Sequence, residues 1–125
     1  MLKYHYRNTT TVVDIRFAGT QQKKLRFAYL TEVANDDCQE RYDNYYRNAR
    51  YRPTITKEMI CAGNDEGDAC SGDSGSPLLY LNKELRWMVG GVVSFGPSSC
   101  GNKAPGVYAK VETSLDWIRS VISKS

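Results

Sequence analysis

One run of residues stands out for its chemistry: Asp68-Ala69-Cys70-Ser71-Gly72-Asp73-Ser74-Gly75-Ser76-Pro77-Leu78. Glycines around Ser74 let the backbone turn sharply and hold a hydroxyl outward. Backbone N–H groups on such a turn can converge on a developing oxyanion, often the largest single contribution to acyl transfer. Taken alone, Gly72-Asp73-Ser74-Gly75 is equally an ordinary polar turn. A serine hydroxyl is also a poor nucleophile at neutral pH and needs a neighbouring base. The single histidine is His5. Histidine-dependent chemistry must therefore use His5 or draw its histidine from outside this chain.

The elements that position this serine belong to 125 residues with 17 basic and 14 acidic side chains, a net charge of +3. That is the length of one domain, able to bury about two-thirds of its unfolded surface. With 41% hydrophobic and 25% charged residues, the composition excludes wholesale disorder or a fibre. The charge is too small and scattered to indicate nucleic acid. No apolar run approaches the roughly 18 residues of a membrane helix. Cys38, Cys61, Cys70 and Cys100 contain no C-x-x-C pair, which argues against a zinc site. Their even number and wide gaps predict two disulfides and an oxidising compartment, with the pairing left open. The opening residues, Met1-Leu2-Lys3-Tyr4-His5-Tyr6-Arg7, lack the apolar stretch of a signal peptide. Disulfides without an export signal predict a piece of a longer protein. The sequon Asn8-Thr9-Thr10 agrees with secretion but is common by chance.

Hydrophobic periodicity supplies the elements. Val12, Val13, Ile15 and Phe17 fit one short strand, and Leu25, Phe27, Tyr29, Thr31 and Val33 alternate with strand period between Lys24 and Val33. Asn35-Asp36-Asp37 offers N-caps for a helix through about Tyr46, broken by a loop from Arg47 to Pro53. Ser76–Leu81 and Leu85–Ser94 form a hairpin around Asn82-Lys83, and Gly106–Val111 is a further strand. Thr113 caps a last helix, with Asp116 placed for a capping box; Leu115, Ile118, Val121 and Ile122 form a face that packs on the sheet. Several short strands and one terminal helix predict an all-β antiparallel barrel or sandwich.

Together with Met59-Ile60-Cys61-Ala62-Gly63, Gly90-Gly91-Val92-Val93-Ser94-Phe95-Gly96, Ala104-Pro105-Gly106-Val107-Tyr108-Ala109-Lys110-Val111 and Leu115-Asp116-Trp117-Ile118, the serine motif resembles the trypsin/chymotrypsin family of serine endopeptidases. The resemblance runs from about Leu25 to Ile122. It implies the second barrel of a trypsin-like fold, six antiparallel strands with a C-terminal helix, over residues 23–125. Residues 1–22 match poorly; Phe17-Ala18-Gly19-Thr20 stands near the family's Gly-Trp-Gly and keeps only its second glycine.

By that resemblance Ser74 is the nucleophile, and the N–H groups of Gly72 and Ser74 form the oxyanion hole. Asp73 matches the aspartate that pairs with a new α-amino group after zymogen cleavage. Asp68 stands at the base of the specificity pocket, where a buried carboxylate favours a substrate Arg or Lys because either charge unpaired is costly. As plain sequence, Asp68 also reads as one acid of a solvated Asp65-Glu66-Gly67-Asp68 turn. Gly96 and Gly106 keep the pocket mouth open, and Ser94 and Gly96 bond substrate backbone as an added strand. Phe95 replaces the usual tryptophan, Ser76 a frequent glycine, and Pro105 the tyrosine of sodium-responsive members. The implied disulfides are Cys38–Cys61 and Cys70–Cys100. The run Ser94-Phe95-Gly96-Pro97-Ser98-Ser99-Cys100-Gly101 is similar to clip-domain proteases of arthropods.

The family's histidine and middle aspartate belong to an N-terminal barrel that these residues do not match, and Lys3-Tyr4-His5-Tyr6-Arg7 is unlike the family's Ala-Ala-His-Cys. The expected function is a secreted trypsin-like endopeptidase cutting after Arg or Lys, inactive as this chain alone, without metal or cofactor. The alternative is a non-catalytic serine protease homologue acting as a binding or cofactor module. Retention of Ser74, Asp73 and Asp68 weighs against it. The loop cluster Tyr42, Tyr45, Tyr46, Arg47, Arg50, Tyr51 and Arg52 is read as a solvated variable loop.

Overall fold

Strand alternation and turn residues produce six strands, two α-helices and one 3₁₀ turn in a computed structural model that describes residues 10–13, 27–63, 73–97 and 104–124. The strands are β1 (Thr10–Val13), β2 (Phe27–Val33), β3 (Met59–Gly63), β4 (Pro77–Leu81), β5 (Trp87–Phe95) and β6 (Gly106–Lys110). Helix α1 (Asn35–Tyr45) follows β2, and α2 (Leu115–Ile122) ends the chain after a 3₁₀ turn, Val111–Ser114. Every pairing is antiparallel, in the order β1-β2-β3-β6-β5-β4, and β1 closes the ring by pairing Thr11 with Leu79 and Val12 with Leu78 of β4. A mostly antiparallel β protein with a terminal helix is the expected class.

The sheet encloses a core of Leu30, Ile60, Ala62, Leu78, Val93 and Tyr108. Gly91 permits its closest approach, since a Cβ there would lie 3.0 Å from the Tyr108 Cβ and 3.3 Å from that of Leu78. A second cluster lies outside the ring, where Cys38 and Tyr42 of α1 meet Cys61, Ala104 and Val107.

Several expectations need correction. The strand period of β2 is right, but its faces are reversed: Leu30 is buried while Phe27 and Tyr29 are 61% and 54% exposed. Their rings meet edge to face at 5.7 Å, an aromatic pair on the outer surface. β3 went unforeseen, because Met-Ile-Cys-Ala-Gly is apolar without alternation. The N-cap of α1 is Ala34, with no side-chain cap, because Asn35 instead donates to the carbonyls of Thr56 and Met59.

β5 begins at Trp87 rather than Leu85. The Asn82 carboxamide oxygen accepts from the N–H groups of Glu84 and Arg86, and Leu85 sits at φ 58°, so the turn consumes those residues. Thr113 does not cap α2; its hydroxyl donates to the Lys110 carbonyl within the 3₁₀ turn, and α2 has no side-chain cap. The apolar stripe of α2 does not pack fully on the sheet. Leu115 and Ile118 are half-buried, while Trp117, Val121 and Ile122 are exposed, Trp117 by 69%.

Candidate active site

Three backbone hydrogen bonds make the turn that carries Ser74. The Ser76 N–H donates to the Asp73 carbonyl at 2.9 Å and closes it. The Gly75 N–H donates to Val93 at 3.0 Å and the Val93 N–H to Ser76 at 2.9 Å, fastening the turn to β5. Gly75 has φ +88°, which side-chain-bearing residues rarely adopt; a Cβ there would meet nothing within 4 Å. Its requirement is conformational, not spatial. The turn sends two neighbouring side chains to opposite sides. Asp73 is wholly buried at 0% exposure and Ser74 is exposed.

Ser94 is the extra residue of a bulge, since β5 pairs Val93 with Tyr108 and Phe95 with Val107 of β6. Bulges re-aim side chains and recur beside active sites. Ser94 is exposed, Gly96 half-buried and Gly106 buried at the start of β6. The fold thus brings the Ser74 turn, the end of β5 and the start of β6 onto shared strands. Asp68, Gly72, Cys70, Cys100 and His5 lie outside the described residues, so the pocket base, one oxyanion donor and the second disulfide rest on the resemblance.

The other implied disulfide, Cys38–Cys61, is present and ties α1 to β3, with Cα atoms 6.3 Å apart. One turn on from Cys38, Tyr42 corrects the loop assignment: it lies in α1, wholly buried, and its hydroxyl donates to the Pro105 carbonyl at 2.6 Å. Its ring meets that of Phe95 edge to face at 5.9 Å. Tyr42 therefore joins two segments that the resemblance assigns to the pocket, Phe95-Gly96 and Pro105-Gly106. The spacing Cys38 to Tyr42 is i to i+4, one helix face, and was the signal that could have revealed it.

Among the described residues no group of His, Cys, Asp and Glu is arranged to hold a metal. Among the described residues, two carboxyls are perturbed. Burial pushes Glu32 on β2 upward, partly offset by Lys110, while the Thr56 side chain, hydrogen-bonded to the exposed Glu58, draws that group down.

The trypsin family model matches residues 9–118, taking in β1 as well as the serine motif. The chain belongs to the trypsin family. Among curated relatives, melanization protease 1 of Drosophila melanogaster is 44% identical over 106 residues, 81% of this chain and 25% of the relative. Clotting factor C of Tachypleus tridentatus is 41% identical over 111 residues, 83% of this chain and 10% of the relative. The chain thus spans a quarter or less of the length of these two family members, both from arthropods.

Proposed function

We propose that this chain is the second barrel of a secreted trypsin-like serine endopeptidase, supplying the nucleophile and the Arg/Lys pocket to a longer protease. The observation that carries the proposal is the Ser74 turn: an exposed hydroxyl beside a wholly buried Asp73, fastened by backbone bonds to β5. Its roles are those of the serine-protease family. Ser74 Oγ attacks the carbonyl carbon after Arg or Lys while a histidine of the first barrel takes its proton. The N–H groups of Gly72 and Ser74 stabilise the oxyanion. The carbon–nitrogen bond then breaks, the histidine returns its proton to the leaving amine, and water hydrolyses the acyl-Ser74 ester.

Phe95 forms an apolar wall, and Tyr42 steadies it together with the Pro105 carbonyl. Asp68 supplies the anion at the pocket base. Cys38–Cys61 supports an oxidising, secreted setting. Separated from a first barrel, the chain lacks the base, and in the subtilisin case loss of the histidine alone slows turnover about a millionfold. The test is an activated longer protease containing these residues. Asp68→Ser should abolish preference for Arg and Lys esters while Ser74 stays reactive to a small serine-directed inhibitor. Unchanged Arg-ester cleavage would exclude Asp68 as the pocket anion.

A further inference from the structure

The aromatic and basic stretch after Cys38 is divided by the fold. Tyr42 is buried, and Tyr46 stacks on it at 6.2 Å and meets Tyr45 edge to face at 4.8 Å. What remains outward is Arg47, Arg50, Tyr51 and Arg52, all exposed, Tyr51 by 78%. From Arg47 to Arg52 the loop carries three arginines and no carboxylate, with Asp43 and Glu58 the nearest acids on either side in sequence. Arg41, on the preceding helix, is by contrast paired with Asp37 at 3.0 Å.

The loop is held in shape. Gln39 of α1 clamps its far side, donating to the Pro53 carbonyl at 3.0 Å and accepting from the Ile55 N–H at 2.6 Å. Across the loop, Arg52 Nη2 donates to the Arg47 carbonyl at 3.0 Å. A preformed loop loses less freedom when it binds. The helix before the loop is in turn tied to β5, because Tyr42 touches Phe95 at the end of the strand to which the Ser74 turn is bonded.

We infer that the loop Arg47–Arg52 is a docking surface for an acidic segment of a polypeptide. Arginine's planar fork matches carboxylates, and Tyr51 adds an aromatic surface between two such forks. Three arginines on one loop fall short of the continuous basic stripe that a nucleic-acid backbone requires. That this polypeptide is the substrate rests on the proposed endopeptidase function; the binding itself does not.

The test is fluorescence anisotropy on the full chain with a labelled peptide rich in Asp and Glu, its Asn/Gln counterpart, and a heparin oligosaccharide. The acidic peptide should bind at least about tenfold more tightly than its amide counterpart, and added salt should weaken it. Arg47→Gln/Arg50→Gln/Arg52→Gln should remove that preference. Arg50→Glu should lower affinity several-fold without touching the Arg52–Arg47 bond. Equal binding of the two peptides, an unaffected triple variant with unchanged circular dichroism, or binding of heparin alone would overturn the inference. Acid-selective binding alongside an inert Ser74 in the activated longer protease would support this surface and refute the proposed function.

Discussion

The two buried clusters of this chain are held together by different means. The ring core of Leu30, Ile60, Ala62, Leu78, Val93 and Tyr108 comes from side chains meeting between paired strands. The outer cluster is joined instead by particular bonds: the Cys38–Cys61 disulfide and the Tyr42 hydroxyl on the Pro105 carbonyl. A ring of strands is self-supporting once its register is set. The helix on its outside adds a covalent and a polar fastener to the apolar contacts of Tyr42. The Ser74 turn hangs from the first system, while Phe95 and Pro105 lean on the second.

Four substitutions sharpen that contrast, each read as a denaturant midpoint. Cys38→Ala/Cys61→Ala should cost the most, about 4 kcal/mol, because the bridge constrains the unfolded chain and anchors α1. Gly91→Ala should cost about 2 kcal/mol through overpacking, since its Cβ would meet two other Cβ atoms that cannot swing aside. This variant strains the ring and should leave the disulfide formed. A cost near zero would show that β4, β5 and β6 do not approach as closely as described. Tyr42→Phe should cost about 1.5 kcal/mol by stranding a buried carbonyl. In the Cys38→Ala/Cys61→Ala background its cost should shrink, because both fasteners serve one helix.

The smallest effect belongs to Glu32→Gln. Partial desolvation holds this carboxyl, on a residue otherwise exposed, above its ordinary 4.5. Its favourable contribution is thus complete below about pH 4.5 and lost as pH rises through the raised value. The glutamine variant should match the native chain in acid and be slightly more stable near neutrality. A larger gap in acid than at neutral pH would reverse the assignment.

What the sequence revealed follows the same division. The serine turn was legible because its determinants are contiguous: Gly75 at positive φ, Asp73 inward and Ser74 outward within one motif. The hairpin and β6 followed from local strand pattern, and α1 from its candidate capping residues, to within a few residues. Where partners are distant, reading failed. Nothing local says that Phe27 and Tyr29 face outward on β2 while Leu30 faces inward, because aromatic residues suit either face. The burial of Tyr42 depends on Pro105, 63 residues away. The apolar stripe of α2, with Leu115 and Ile118 half-buried but Val121 and Ile122 exposed, has the amphipathic pattern expected for packing on this sheet, but pattern does not name the surface it packs against.

The central claim is that Ser74 is a nucleophile whose base lies outside this chain. Fluorophosphonate labelling, mapped by peptide mass spectrometry, tests it most directly. The reagent would be applied to residues 1–125 alone and to the same residues joined to the histidine-bearing first barrel of a trypsin-family protease and activated by cleavage. The account predicts no label on the isolated chain and stoichiometric label at Ser74 in the joined protein, abolished by Ser74→Ala. Stoichiometric labelling of Ser74 in the isolated chain, or a labelled joined protein whose modified residue is not Ser74, would contradict it.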